Sequence, residues 1–169
     1  MAGMPRTRAL LMVATVALLV LVLDQASKAW ARSGLTPGHE TTVIPGWFWV
    51  RLASNTGATL GLGSGNNELF AVLALIIVVA IAVLAMRGNV GGVLGIVALG
   101  AVAGGALGNL VDRVRLGYVT DFIEVHWWPT DFNLADAAIR LGVVLFLLAL
   151  LRDWTSRPRH GSVGAGRER

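Results

Sequence analysis

Four apolar runs constrain this chain more than anything else in it. They are Ala9 to about Trp30, Leu69–Met86, Val90–Val111 and about Leu134–Leu151. A helix that crosses a bilayer needs about 20 mostly apolar residues, and each run is close to that length. In lipid every backbone N–H and C=O must find its partner within the protein, which makes helices the natural form of such runs. Only 14% of the residues are charged and 55% are hydrophobic, against about 25% charged in a soluble domain. The expectation is an all-α membrane protein with four transmembrane helices, forming one domain over 1–154. Residues 155–169 read as a disordered basic tail.

Basic residues near span ends set orientation. Arg6 and Arg8 precede the first run, Arg87 lies in the short turn after the second, and Arg152, Arg157 and Arg159 lie in or beside the tail. Four spans put these clusters on one side, expected to be cytoplasmic, with both termini there. The same pattern accounts for the basic residues by topology and contact with lipid headgroups, and calls for no nucleic acid. Segments of about 31–68 and 112–133 then lie outside. Trp30, Trp47, Trp49, Trp127 and Trp128 fall at or in them and Trp154 marks the other end, as interfacial aromatic belts do. The first run also has the parts of a secretory signal peptide, with Ser27-Lys28-Ala29 as a cleavage site. The three runs that follow favour a retained helix.

Within 31–68, Trp47, Trp49 and Arg51 alternate with Phe48, Val50 and Leu52. That period predicts a short strand in an extracytoplasmic, β-containing segment between the first two helices. The run Gly61–Asn67 reads as a flexible connection, and no Gly-Lys-Ser/Thr follows to make it a phosphate-binding loop. In the third run Gly100, Gly104 and Gly108 stand four apart, a spacing that lets helices approach closely in lipid. There is no cysteine, which excludes a disulfide framework, a thiol nucleophile and a thiolate metal site.

The polar residues at the edges of the runs carry the chemistry. Ionisable groups at membrane depth are expensive and tend to be functional. Asp24 and Lys28 share a helix face, as an ion pair or as part of a site. Asn109, Asp112 and Arg113 share another, where Arg113 can pair with Asp112 or hold a peptide carbonyl. Asp121 stands in the apolar sequence VTDFI, and Asp136 opens the fourth run three residues after Asn133. Asn133 is a plausible N-cap, and the helix dipole there favours an ionised Asp136. Asp121, among apolar neighbours, keeps a proton more easily. Two carboxylates in unequal environments can do acid–base chemistry, though they titrate as a pair. Arg140 lies one turn beyond Asp136 and can pair with it, point to another carboxylate or snorkel outward. His126 near Asp121 and Glu124 matches no ligand spacing and reads as an interface residue, so neither a metal nor another cofactor is expected.

These residues lie in motifs that together resemble the lipoprotein signal peptidase (signal peptidase II) family. The motifs are DQASK at Asp24–Lys28, NTGA at Asn55–Ala58, GGALGNLVDR at Gly104–Arg113, GYVTDFI at Gly117–Ile123 and FNLAD at Phe132–Asp136. The resemblance runs from Asp24 to about Leu151. It implies an aspartic endopeptidase of the bacterial cytoplasmic membrane, with its site near the outer face, working as a monomer. The substrate implied is a prolipoprotein, cut on the N-terminal side of a diacylglyceryl-modified cysteine. The family's catalytic pair corresponds to Asp121 and Asp136, and its supporting polar residues to Asp24, Lys28, Asn55, Asn109, Asp112, Arg113 and Asn133. Its small sheet fits 31–68, where Trp47 and Trp49 are expected to close over the substrate. Three positions depart from the pattern: Leu60 in place of an aromatic, Thr120 in place of an aliphatic residue, and Arg140. A proton-coupled carrier or a non-catalytic assembly protein would also place charges in spans. The carrier sits poorly with charges gathered near one membrane face and with no apparent inverted repeat, while in an assembly protein the polar pairs would only hold helices together.

Overall fold

The computed structural model describes residues 4–57, 66–87 and 91–156. Four helices are long and apolar enough to cross a membrane: α1 (Arg6–Gly34), α2 (Asn67–Arg87), α3 (Gly92–Leu116) and α4 (Leu134–Thr155). Each runs past the C-terminal end of its apolar run, because helices continue through polar flanks until a stop signal is met. For α3 the stop is Gly117, at φ 80°, whose N–H returns to the carbonyl of Arg113. Glycine adopts that left-handed conformation without a Cβ penalty. Leu60, the Gly61–Gly65 run and the tail beyond Ser156 lie outside the described residues.

α3 is the central helix, and the other three pack around it. Its glycines form two seams. A Cβ on Gly104 would stand 2.5 Å from the carbonyl oxygen of Ala17, and one on Gly108 would strike the Asp24 carboxylate, so these face α1. A Cβ on Gly105 would stand 2.5 Å from the carbonyl oxygen of Ala135 on α4, and Gly142 of α4 returns the approach against Ala98. Lipid tails are as apolar as leucine, so close backbone packing rather than hydrophobic burial holds such helices together. Leu18, Leu19, Leu75, Ile76, Val144 and Leu147 face outward and stay exposed, as a lipid-facing shell requires.

The sheet has three antiparallel strands in the order β1 (Glu40–Ile44), β2 (Phe48–Asn55), β3 (Val119–Val125). The strand expected around residues 47–52 is β2. Its third partner comes from the connection between α3 and α4, which carries Asp121. Alternation within β3 is hidden because its first four residues, Val119–Phe122, are all buried. Pairing sets Ala53 opposite Asp121 and Asn55 opposite Val119.

Candidate active site

Asp121 and Asp136 are brought together by backbone pairing. Phe132 exchanges two backbone hydrogen bonds with Ile123: its N–H donates at 3.0 Å and its carbonyl accepts from Ile123 at 2.9 Å. This clamp delivers Asn133, the next residue, beside Asp121. Asn133 caps α4 by accepting the Asp136 N–H at 2.9 Å, and its side-chain Nδ2 donates to Asp121 Oδ1 at 2.6 Å. In return Asp136 Oδ2 accepts the Asn133 N–H at 3.4 Å, completing a capping box. One buried asparagine therefore touches both carboxyl-bearing residues. The expected N-cap is real, and it is also the bridge of the site.

Each aspartate has a second amide donor. Asn55, at the end of β2, donates from Nδ2 to Asp121 Oδ2 at 3.0 Å. Asn109, on α3, donates from Nδ2 to Asp136 Oδ1 at 2.8 Å. Behind Asn109 stands Lys28, fully buried, whose Nζ donates to Asn109 Oδ1 at 2.8 Å and pairs with Asp24 at 2.9 Å. Asp24 also accepts the Ala135 N–H at 2.9 Å, pinning the first turn of α4 to α1. Asp112 accepts the Thr120 N–H at 2.9 Å and holds the start of β3 against α3. Its remaining neighbours are Gln25 at 3.3 Å, and Lys28 and Arg32, each at 3.6 Å.

Asp121 is 2% exposed. Burial, and then the nearby Asp136 charge, push its carboxyl up to about 7 against the two amide donations that lower it. Desolvation and a like charge both disfavour the ionised form. At neutral pH Asp121 thus stands near the midpoint of its titration.

Asp136 borders a cavity of about 310 Å³ walled by α2, α3 and α4. Its polar rim holds Asn55, Asn109, Arg113 and Arg140, and its apolar wall includes Phe70 and Leu73 of α2. Ile77 is shared with a second cavity of about 340 Å³ deeper in the bundle, lined by Ile81, Leu84, Leu99 and Phe146 among others. Arg113 resolves one ambiguity of the sequence. Its Nη2 donates to the carbonyl of Gly57 at 3.0 Å, while its Nε, buried, has no partner among the described residues. Arg140 lies over the rings of Trp128 at 4.5 Å and Phe132 at 5.2 Å, within cation–π range.

All the expected polar residues gather at this one end of the bundle. Two contributors carry no signal of their own in the sequence: Gln25, which bridges Asp24, Asp112 and the carbonyl of Gly108, and Arg32. Thr120, a departure from the family pattern, has a hydroxyl that accepts from Arg32 at 2.9 Å, and this partner 88 residues away explains it. Ala53 pairs with Asp121, so Trp49 stands four residues from it along β2, roughly 13 Å at about 3.3 Å per residue, and Trp47 lies just before the strand. Trp47 packs against His126 and Trp127.

The fold and the site together define a multi-pass membrane protein with a buried Asp121 and a half-buried Asp136 at the sheet end of its helices. Residues 16–152 match the family described as signal peptidase (SPase) II, and the chain belongs to this family of membrane peptidases. It is similar to the lipoprotein signal peptidase of Syntrophomonas wolfei, 40% identical over 143 residues that cover 85% of this chain and 95% of that protein. It is also similar to the lipoprotein signal peptidase of Pseudomonas aeruginosa strain PAO1, 41% identical over 82% of this chain and 86% of the relative. A solved structure described as a bacterial membrane enzyme aligns with a TM-score of 0.79 at 31% identity, covering 90% of this chain and 94% of the other.

Proposed function

We propose that this protein is an aspartic endopeptidase that removes the signal peptide from prolipoproteins, cutting on the N-terminal side of a diacylglyceryl-modified cysteine. The names of its relatives support the substrate. The observation that carries the mechanism is Asn133 bonded to both Asp121 and Asp136. Asp136, on the cavity wall, takes a proton from water, and the resulting hydroxide adds to the scissile carbonyl. Asp121 supplies its proton to the carbonyl oxygen as the tetrahedral intermediate forms. Breakdown returns a proton to the leaving amine. The unpartnered Nε of Arg113 is placed to hold a substrate carbonyl. The acyl chains of the substrate occupy the apolar groove between α2 and α4, so substrate arrives by diffusion in the membrane plane.

The protein acts as a monomer in the bacterial cytoplasmic membrane. Both termini are cytoplasmic and the sheet end is outside, since Arg6, Arg87 and Arg152 all stand at helix ends away from the sheet and basic ends stay inside. The test is cleavage of a purified diacylglyceryl-modified prolipoprotein, with Asp121→Asn and Asp136→Asn in parallel. Wild type is expected to release the signal peptide and each variant to lose about 10²–10⁴-fold in rate. Undiminished cleavage by either variant would sink the aspartic mechanism.

A further inference from the structure

The three asparagines around the aspartates share a property that pairwise contacts do not reveal. Each has its oxygen occupied by a group that can only donate. Asn55 Oδ1 accepts the Gly57 N–H at 2.9 Å. Asn133 Oδ1 accepts the Asp136 N–H at 2.9 Å. Asn109 Oδ1 accepts from Lys28 Nζ at 2.8 Å. A backbone N–H and an ammonium have no acceptor atom, so none of the three amides can flip. All therefore turn their NH₂ groups toward the carboxyl groups: Asn55 and Asn133 to Asp121, Asn109 to Asp136. An acid proton held by this pair finds no acceptor on any of the three amides. Two of the locks are backbone geometry. The third is one fully buried side chain on a different helix, which does not line the cavity.

Resting on the reading above, we propose that Lys28 is a positioning residue for peptide hydrolysis: it fixes the direction of the Asn109 amide so that Asp136 meets a donor and the acid proton is left for substrate. Its ion pair with Asp24 at 2.9 Å holds the ammonium in place for that task. A lysine serving only to neutralise Asp24 would not need the 2.8 Å bond to Asn109.

The test compares Lys28→Met, Lys28→Arg and the double variant Asp24→Asn/Lys28→Met, each in detergent with a diacylglyceryl-modified prolipoprotein. The double variant strands no charge at Asp24, and Asp112 keeps Arg32 nearby, so it reports even where Lys28→Met does not fold. The expected result is a kcat lowered about 10–100-fold in the Met variants, the range of one charge-assisted hydrogen bond, with KM within about twofold of wild type. Lys28→Arg, which retains a donor-only cation, should recover most of the loss. A folded double variant with wild-type kcat would overturn the proposal and reduce Lys28 to a structural partner of Asp24. Activity surviving in Asp136→Asn would instead overturn the aspartic reading itself, so the two failures are distinguishable.

Discussion

In the body of the bundle α3 meets its neighbours through glycines and carries no charge from Gly92 to Asn109; at the sheet end the same helix presents Asn109, Asp112 and Arg113 to three different elements. The body is held by close van der Waals approach, which is non-directional and tolerates no added volume. The sheet end is held by hydrogen bonds with fixed donors and acceptors, which tolerate volume better than a change of polarity. The two regions should therefore fail in different currencies, the body in stability and the sheet end in rate.

After the two aspartates themselves, the largest effect is expected at Asn133, where the two regions overlap. Asn133→Ala removes the donor to Asp121 and the cap of α4 together. Cleavage should fall roughly ten- to a hundredfold, from about 1.5–3 kcal/mol for a hydrogen bond to a charged group. Unfolding free energy should fall by about 1 kcal/mol for the lost cap. If rate and stability did not drop together, the bridge role of Asn133 would be wrong. Gly104→Ala tests the body alone. Its Cβ meets backbone of α1, so a loss of about 1–3 kcal/mol is expected in thermal unfolding, while the folded fraction should turn over nearly as wild type.

pH acts on the sheet end through Asp121. Asp121 is raised to about 7 from an unfolded value of about 3.9, so the folded state binds the extra proton between these values. The associated stability is fully present below about pH 4 and is lost as pH rises through about 7. The melting temperature of wild type should decline from pH 5 to 8, while that of Asp121→Asn should not share this slope. In the proposed mechanism Asp121 must be protonated to act as the acid, so kcat/KM should fall about tenfold per pH unit above 7. A flat rate between pH 7 and 9 would move the acid role elsewhere. The smallest effect belongs to the outer face of the sheet. Arg51 pairs with Asp131 at 2.9 Å, but its side chain is 45% exposed. Arg51→Ala should change stability by at most about 1 kcal/mol and leave cleavage intact.

The four spans, the strand at β2, the cap at Asn133 and most polar residues of the site, though not Gln25 or Arg32, could be read along the chain. Each is a local property: apolar length, alternation, a capping residue before a helix, charges at the rim of an apolar run. The motif residues that match the family also lie in order along the chain, and the structure gathers the polar ones, Asp24, Lys28, Asn55, Asn109, Asp112, Arg113, Asp121, Asn133 and Asp136, at one end of the bundle. The third strand was not legible, because Val119–Phe122 is buried on both sides and shows no alternation. The role of Arg140 was not legible either, since nothing in its neighbourhood in sequence distinguishes an ion pair from a place over Trp128 and Phe132.

By itself, then, the order of residues determined how many times the chain crosses a membrane, which side chains sit at the edge, and that two of them, Asp121 and Asp136, are carboxylates. Only the tertiary structure decided that Asp121 and Asp136 share one asparagine, and that Lys28 faces an amide 81 residues away. Only it decided that all three amides present donors. Spans follow from the free energy of moving short apolar segments into lipid, which sums along the sequence. Hydrogen-bond direction follows from which groups meet across helices and strands, and no local sum contains that information.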